Sequence, residues 1–280
     1  MAVDIPKLET FELKLHSTGV AEIIFNRPQR YNALSRLAYA EWLAAIRWAA
    51  RCDEAKVTII TGNGKYYTSG QELTMPEPVA DTNDSDDMVA IAKKGSANTK
   101  ALIDEMINFP KLLIAAVNGP AIGFGVTTLA LCDVVYSVPH ATFKTPFMQL
   151  GFCAEGCSSL LFPRIMGPSR ANEMLLMNRQ FTAQELEQTG FIGRILPAEG
   201  FHDHVLKLAT DAAKFSLEAL KTTKKLVRDA DRESLLKVNE IEIQRLAERM
   251  ASDDCIQRLL EFVENSQKKK QQKLKSASKL

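Results

Sequence analysis

Three kinds of hydrophobic period succeed one another near the start of the chain. Residues Phe11–Leu15 and Val20–Phe25 alternate apolar and polar positions around His16-Ser17-Thr18-Gly19, which predicts two strands joined by a tight turn. Leu37, Trp42, Leu43, Ile46 and Ala50 then recur at helical spacing, and Ser35 stands where a side-chain oxygen can cap the first free amides. A β-branched run at 57–61 predicts a third strand.

The pattern breaks from 65 to about 94, where Pro76, Pro78 and the acidic residues Asp81, Asp84, Asp86 and Asp87 predict a mobile surface segment. Residues 112–132 carry no charge and are long enough to cross a membrane. Asn118-Gly119-Pro120, with Gly123 and Gly125 just beyond, divides that run into a strand at Leu112–Val117, a turn, and a buried helix ending near Leu131. Strands at Val134–Ser137 and 141–143 follow, then helices at Ser158–Met166 and 168–177.

Strands alternating with helices predict an α/β core with parallel pairing over residues 1–200. Strand signals vanish after Phe201, so 201–266 reads as a helical region. The Lys-rich stretch at 268–275 makes 267–280 a basic, solvated and flexible tail.

Composition narrows the function classes. The 280 residues are 46% hydrophobic and 25% charged, as in ordinary globular proteins. A net charge of +1 offers no global field to attract nucleic acid or an anionic membrane, so an anionic ligand has to be held locally. Five scattered cysteines predict reduced thiols in an intracellular protein. The N-terminus has neither a secretory nor a mitochondrial pattern. The last three residues, Ser278-Lys279-Leu280, spell the address read by peroxisomal import receptors, which predicts a peroxisomal location.

Several chemistries lack their residues. His16, His140, His202 and His204 are scattered, and the Cys153/Cys157 pair has no matching second pair, so no metal site is expected. Phosphate-loop, dinucleotide and nucleophile-elbow motifs are absent from the sequence.

Three features remain. The turn Tyr66-Tyr67-Thr68-Ser69-Gly70-Gln71-Glu72-Leu73 contains a glycine that lets the following N–H groups point at a ligand, or is an ordinary loop. The turn Asn118 to Gly125 opens a buried helix whose free N–H groups favour an anion. Glu155 sits in Leu150-Gly151-Phe152-Cys153-Ala154-Glu155-Gly156-Cys157, among small and apolar residues where a carboxylate is rare unless paired or functional. It is either a functional acid or a cap for the helix starting near Ser158.

Read in order, these stretches resemble the crotonase (enoyl-CoA hydratase/isomerase) superfamily over residues 10–265. The resemblance is carried by Asn26-Arg27-Pro28, Tyr31-Asn32-Ala33-Leu34, Tyr67-Thr68-Ser69-Gly70, Asn118-Gly119-Pro120-Ala121-Ile122-Gly123, Cys132-Asp133, Phe181-Thr182-Ala183-Gln184-Glu185 through Gly190-Phe191, and the helix after Ser252-Asp253-Asp254.

The resemblance implies a spiral of ββα units followed by helices that build homotrimers or hexamers. Leu226, Val227, Leu235, Leu236, Ile243, Leu246, Leu259 and Phe262 are the expected apolar surface for that assembly. It also implies an acyl-CoA substrate, with coenzyme A as part of the substrate and no separate cofactor. Its thioester oxygen would be held by the backbone N–H groups of Gln71 and Phe124, in a site formed by Ala33, Ser69, Gly70, Gln71, Glu72, Leu73, Gly123 and Phe124.

Most members have Ala-Asp where this chain has Gln71-Glu72, a change that spares main-chain donors but alters the pocket wall. The two glutamates with which hydratases activate water align with Thr127 and Phe147, neither of which can do so. Peroxisomal Δ3-Δ2-enoyl-CoA isomerases instead resemble this chain at Glu155, the expected single base. Dienoyl-CoA isomerase, hydratase and a non-catalytic CoA-binding homologue are the alternatives.

Overall fold

The computed structural model describes residues 4–73 and 85–277. Strands β1 (Phe11–Leu15) and β2 (Val20–Phe25) form the expected antiparallel hairpin, with Phe11 opposite Phe25. Helix α1 (Arg36–Arg51) begins at Ser35, whose Oγ accepts the Ala38 N–H at 3.2 Å. Its inner face buries Ala38, Trp42, Ala45, Ile46 and Ala49, while Leu37 faces outward. Strand β3 (Val57–Gly62) lies parallel to β2.

Helices α2 (Ser85–Gly95) and α3 (Ala97–Ile107) lead to β4 (Leu112–Val117), parallel to β3. The surface segment expected at 65–94 is therefore helical from Ser85, and its Pro76, Pro78, Asp81 and Asp84 lie outside the described residues. Leu102, Ile103, Met106 and Ile107, at helical spacing, form the buried face of α3.

The uncharged run does not continue as one helix. It bends through β5 (Ala121–Ile122) into a single turn, α4 (Phe124–Thr127), and a 3₁₀ turn over Thr128–Leu131. Strands β6 (Val134–Ser137) and β7 (Thr142–Lys144) and helices α5 (Phe147–Leu150), α6 (Ser158–Met166) and α7 (Pro168–Leu175) follow. Then come β8 (Phe181–Thr182), α8 (Ala183–Glu187) and β9 (Arg194–Ile195). A reciprocal capping box between Thr182 and Glu185 opens α8.

Six strands form one sheet in the order β1-β2-β3-β4-β6-β9, parallel except for the opening hairpin. Strands β5, β7 and β8 form a second, smaller sheet. The α/β class with a parallel sheet and a helical C-terminal region is borne out.

That region consists of α9 (Phe201–Ala213), α10 (Leu217–Met250) and α11 (Asp253–Ala277). Leu235, Asn239, Glu242, Ile243, Leu246 and Ala247 make the buried stripe of α10, at helical spacing. Lys224 fastens this helix to the sheet, donating to Lys111 O at 2.6 Å and to Asp133 Oδ2 at 2.7 Å, the oxygen that also accepts the Leu113 N–H.

Two expectations change here. The Lys-rich stretch continues α11 as helix through Ala277, consistent with the high helix propensity of Lys and Gln; Ser278-Lys279-Leu280 lie outside the described residues. Of the apolar residues expected at a subunit surface, Leu235, Ile243 and Leu246 are buried within the chain and Leu236, Leu259 and Phe262 are partly so, whereas Leu226 and Val227 are about three-quarters exposed. Among the described residues no helix is long and apolar enough to cross a membrane.

Candidate functional site

The first glycine turn is built by one asparagine. Asn32 takes a left-handed backbone (φ 56°) and buries its side chain. Its amide donates to the carbonyls of Asn63, Tyr66 and Tyr67 at 3.0, 2.8 and 3.2 Å. Its own carbonyl accepts the Thr68 hydroxyl at 2.6 Å, and that hydroxyl accepts the Gly70 N–H at 3.0 Å. The path of residues 66–70 is thus fixed from within.

Gly70 then turns at φ +77°, and a Cβ there would lie 2.6 Å from Ile122 O. Only glycine permits this approach, which docks the first turn on the second. Beside it, Leu34 and Gln71 form an isolated parallel bridge: the Leu34 N–H donates to Gly70 O and the Glu72 N–H to Leu34 O, each at 2.9 Å. In this pattern the flanking residues supply the bonds, so the N–H of Gln71 points away from Leu34.

The second donor is the N–H of Phe124, first residue of α4, which has no acceptor within its helix. The preceding Gly123 donates to Lys144 O at 2.8 Å. Among the described residues, neither the Gln71 nor the Phe124 N–H has an acceptor. The Phe124 ring anchors the turn from behind, edge-on to Tyr39 at 5.1 Å and to Trp42 at 5.7 Å between centroids.

The structure therefore gathers Ala33, Ser69, Gly70, Gln71, Glu72, Leu73, Gly123 and Phe124 around one junction. Glu72 is not available as a base. It accepts from Arg27 at 2.9 Å and Arg30 at 2.6 Å, and the bond from Arg30, foremost, holds its carboxyl below the usual range.

Glu155 lies at the other end of α4. The adjoining Gly156 (φ +65°) packs on Thr127, where a Cβ would come within 2.7 Å of Thr127 Oγ1. Phe147, Leu150 and Phe152, close to it in sequence, are all buried. The Glu155 carboxyl has no hydrogen-bond partner among the described residues. Burial, and next the charge of Glu242, push it up to about 8. Tyr39 also faces it, and is itself held protonated by burial and by Glu155.

The capping alternative for Glu155 is resolved by a residue that sequence reasoning missed. Helix α6 opens at Cys157 in a left-handed conformation with no side-chain cap from its own segment, the Ser158 N–H going to the main-chain oxygen of Glu155 at 3.2 Å. Its free amides are taken by Glu242 of α10, which accepts from Cys157 N–H at 2.6 Å and Ser159 N–H at 3.0 Å. A glutamate on the apolar stripe of α10 was the available signal.

Other expectations shift. Two of the four scattered histidines, His16 and His202, converge on the buried Glu22 of β2, away from this site. Thr127 spends its hydroxyl on Phe124 O at 3.2 Å. All five cysteines are free, and burial foremost pushes Cys153 up to about 11 and Cys157 up to about 12. A cavity of about 510 Å³ beside α1, lined by Leu43, Arg47, Trp48, Arg51 and Asn98 among others, contains none of the candidate residues.

Comparison with known proteins places the chain in a family. Enoyl-CoA delta isomerase 2 of Rattus norvegicus and of Homo sapiens are each 38% identical to this chain, over 88% and 89% of it. The chain spans only 61% and 62% of those proteins' length. The peroxisomal enoyl-CoA delta isomerase 3 of Mus musculus is 36% identical over 88% of this chain and 75% of its own. A crystal structure of an enoyl-CoA hydratase/isomerase from Pseudoalteromonas atlantica T6c matches with a TM-score of 0.82 at 28% identity, covering 92% of this chain and 98% of that one. The family model for enoyl-CoA hydratase/isomerase matches residues 16–273, and with that extent the chain belongs to the enoyl-CoA hydratase/isomerase family.

Proposed function

We propose that the protein is an enoyl-CoA isomerase that converts cis- or trans-3-enoyl-CoA to trans-2-enoyl-CoA in the β-oxidation of unsaturated fatty acids. The observation that carries this reading is the buried carboxyl of Glu155, without a hydrogen-bond partner among the described residues, raised to about 8 and relieved of capping duty by Glu242. Glu155 takes a proton from C2 of the acyl chain, the electron pair moves onto the thioester as an enolate, and the same carboxyl returns the proton at C4. The double bond moves from C3–C4 to C2–C3 with no net gain or loss of atoms or electrons.

The N–H groups of Gln71 and Phe124 are the donors to the enolate oxygen, each worth about 3 kcal/mol in the transition state. Ala33, Ser69, Gly70, Leu73 and Gly123 line the acyl-CoA site, and coenzyme A enters only as part of the substrate. The names of the relatives support isomerisation. Hydration is disfavoured because Thr127 and Phe147 offer no carboxylate to hold water, and a dienoyl-CoA isomerase lacks its second acid at Phe147.

The test is a spectrophotometric assay with 3-hexenoyl-CoA. Glu155→Gln keeps the shape but cannot accept a proton, so turnover falls by about 100-fold or more with acyl-CoA binding retained. Retention of more than about a tenth of wild-type turnover moves the base elsewhere.

Two further readings belong to this proposal. Ser278-Lys279-Leu280 engage the peroxisomal import receptor and direct the protein to the peroxisome, as the name of the mouse relative supports. Removing the three residues leaves an active enzyme in the cytosol; continued import would refute this. The chains associate as homotrimers or hexamers through the helical region, where Leu226 and Val227 stay exposed. Light scattering that finds a stable monomer at micromolar concentration would contradict it.

A further inference from the structure

Resting on the assignment of Glu155 as the base, we propose that Glu242 is its positioning residue: one carboxylate on the C-terminal helix α10 clamps the main chain that carries Glu155 and sets the charge that Glu155 faces. Glu242 is only 5% exposed and reaches across more than 80 residues of sequence. Its two oxygens take separate amides, Cys157 and Ser159, at the first turn of α6. Glu155 is two residues upstream of the nearer one.

The loop has little freedom between these points. Gly156 is pressed against Thr127 of α4, and the Cys157 thiol donates to Leu235 O of α10 at 3.4 Å. One turn before Glu242, Asn239 donates to Lys100 O at 3.1 Å and to Asp104 Oδ1 at 2.8 Å on α3. A single face of α10, with Leu235, Asn239 and Glu242, thus holds both the base-bearing loop and the helix beneath it.

The charges around the pair decide how it titrates. Tyr39 of α1 and Cys153 of the loop face Glu155, and burial keeps both protonated. Around Glu242 stand Cys157 and, acting on that thiol, Asp104 of α3 and Arg228 of α10; Arg249 of α10 acts on Cys153. Glu155 itself is acted on by Glu242 and by no cation. Burial raises Glu242 as well, but its bonds to Ser159 and Cys157 oppose that, whereas nothing opposes it at Glu155. The two backbone N–H bonds favour the charged form of Glu242, so of the pair Glu242 ionises first and Glu155 holds the proton that leaves last.

The experiment measures kcat and KM for 3-hexenoyl-CoA across about pH 5.5 to 9.5 in wild type, Glu155→Gln, Glu242→Gln and Glu242→Asp, with a thermal melt of each. Wild-type kcat/KM rises with pH as Glu155 ionises. In Glu242→Gln the repelling charge is gone, so the rise moves to lower pH and the fraction of plateau activity at about pH 6.5 increases about threefold, equivalent to half a pH unit. Plateau kcat falls about tenfold as the clamp loosens, with KM within about twofold. Glu242→Asp retains the charge but not the reach: its pH profile stays put while kcat falls.

A folded Glu242→Gln with an unmoved profile overturns the proposal. If Glu242→Gln does not fold, Glu242→Asp decides, and a wild-type kcat there overturns it. Activity in Glu155→Gln instead overturns the assignment of the base, so the two failures are told apart.

Discussion

Two buried glutamates in this fold titrate in opposite directions. Glu22, in the middle of β2, is fully buried and accepts from His16 Nε2 at 2.5 Å and His202 Nε2 at 2.6 Å. Burial is the largest influence on it and acts upward, yet the bonds and charges of His202 and His16 outweigh burial and hold the carboxyl below its usual range. Glu155, in the loop before α6, is buried to a similar degree, and its one charged influence is another anion. Burial by itself therefore does not make a base. What distinguishes the loop from the strand is the missing partner, and α10 supplies the cap that would otherwise have claimed the carboxylate.

The comparison is sharpened most by removing each charge in turn. Glu22→Gln deprives two histidines of a buried anion and costs about 3 kcal/mol of stability. A lowered carboxyl contributes stability above its unfolded range, lost as pH falls through the folded value; His202, raised mainly by its bond to Glu22, contributes below the usual imidazole range, lost as pH rises. The deficit of Glu22→Gln is therefore widest at about pH 5 to 6.

Glu155→Gln acts with the opposite sign. A glutamate raised to about 8 favours the fold only while protonated, so wild-type stability falls as pH rises from the ordinary glutamate value through 8. The glutamine variant escapes that fall and is more stable at about pH 9, by an amount on the order of 2 kcal/mol after water entry and relaxation take back part of the shift. Urea unfolding of both variants at the two pH values checks the pair. Equal signs would erase the distinction between strand and loop.

The same contrast explains what was legible in the sequence. Ser35 and Ala38 are three residues apart, so their cap follows from local spacing. The turns around Gly70 and Gly123 are likewise legible, the first as glycine following Thr68-Ser69 and the second as glycine interrupting an apolar run. The clamp from Glu242 to Cys157 joins residues 85 positions apart, and no period in the chain encodes it. Strands β5, β8 and β9 have two residues each, too few to show alternation, and exist because the neighbouring strand is there to pair with. His16 and His202 looked scattered because only the fold brings α9 beside β2.

The smallest expected effect comes from Gln71, and it separates side-chain from main-chain chemistry within the site. Gln71 is solvent-exposed, and the group assigned to the enolate oxygen is its backbone N–H. The bridge bonds of Gly70 and Glu72 to Leu34, with the Thr68 hydroxyl under Gly70, fix that N–H without help from the Gln71 side chain. Gln71→Ala therefore leaves the donor where it is and changes only the wall of the pocket. Its kcat on 3-hexenoyl-CoA should stay within about threefold of wild type, less than 1 kcal/mol, against the 100-fold or greater loss in Glu155→Gln. KM rises modestly if the amide touches the substrate. A loss of kcat comparable to that of Glu155→Gln would mean that the Gln71 side chain, not its main chain, meets the developing charge.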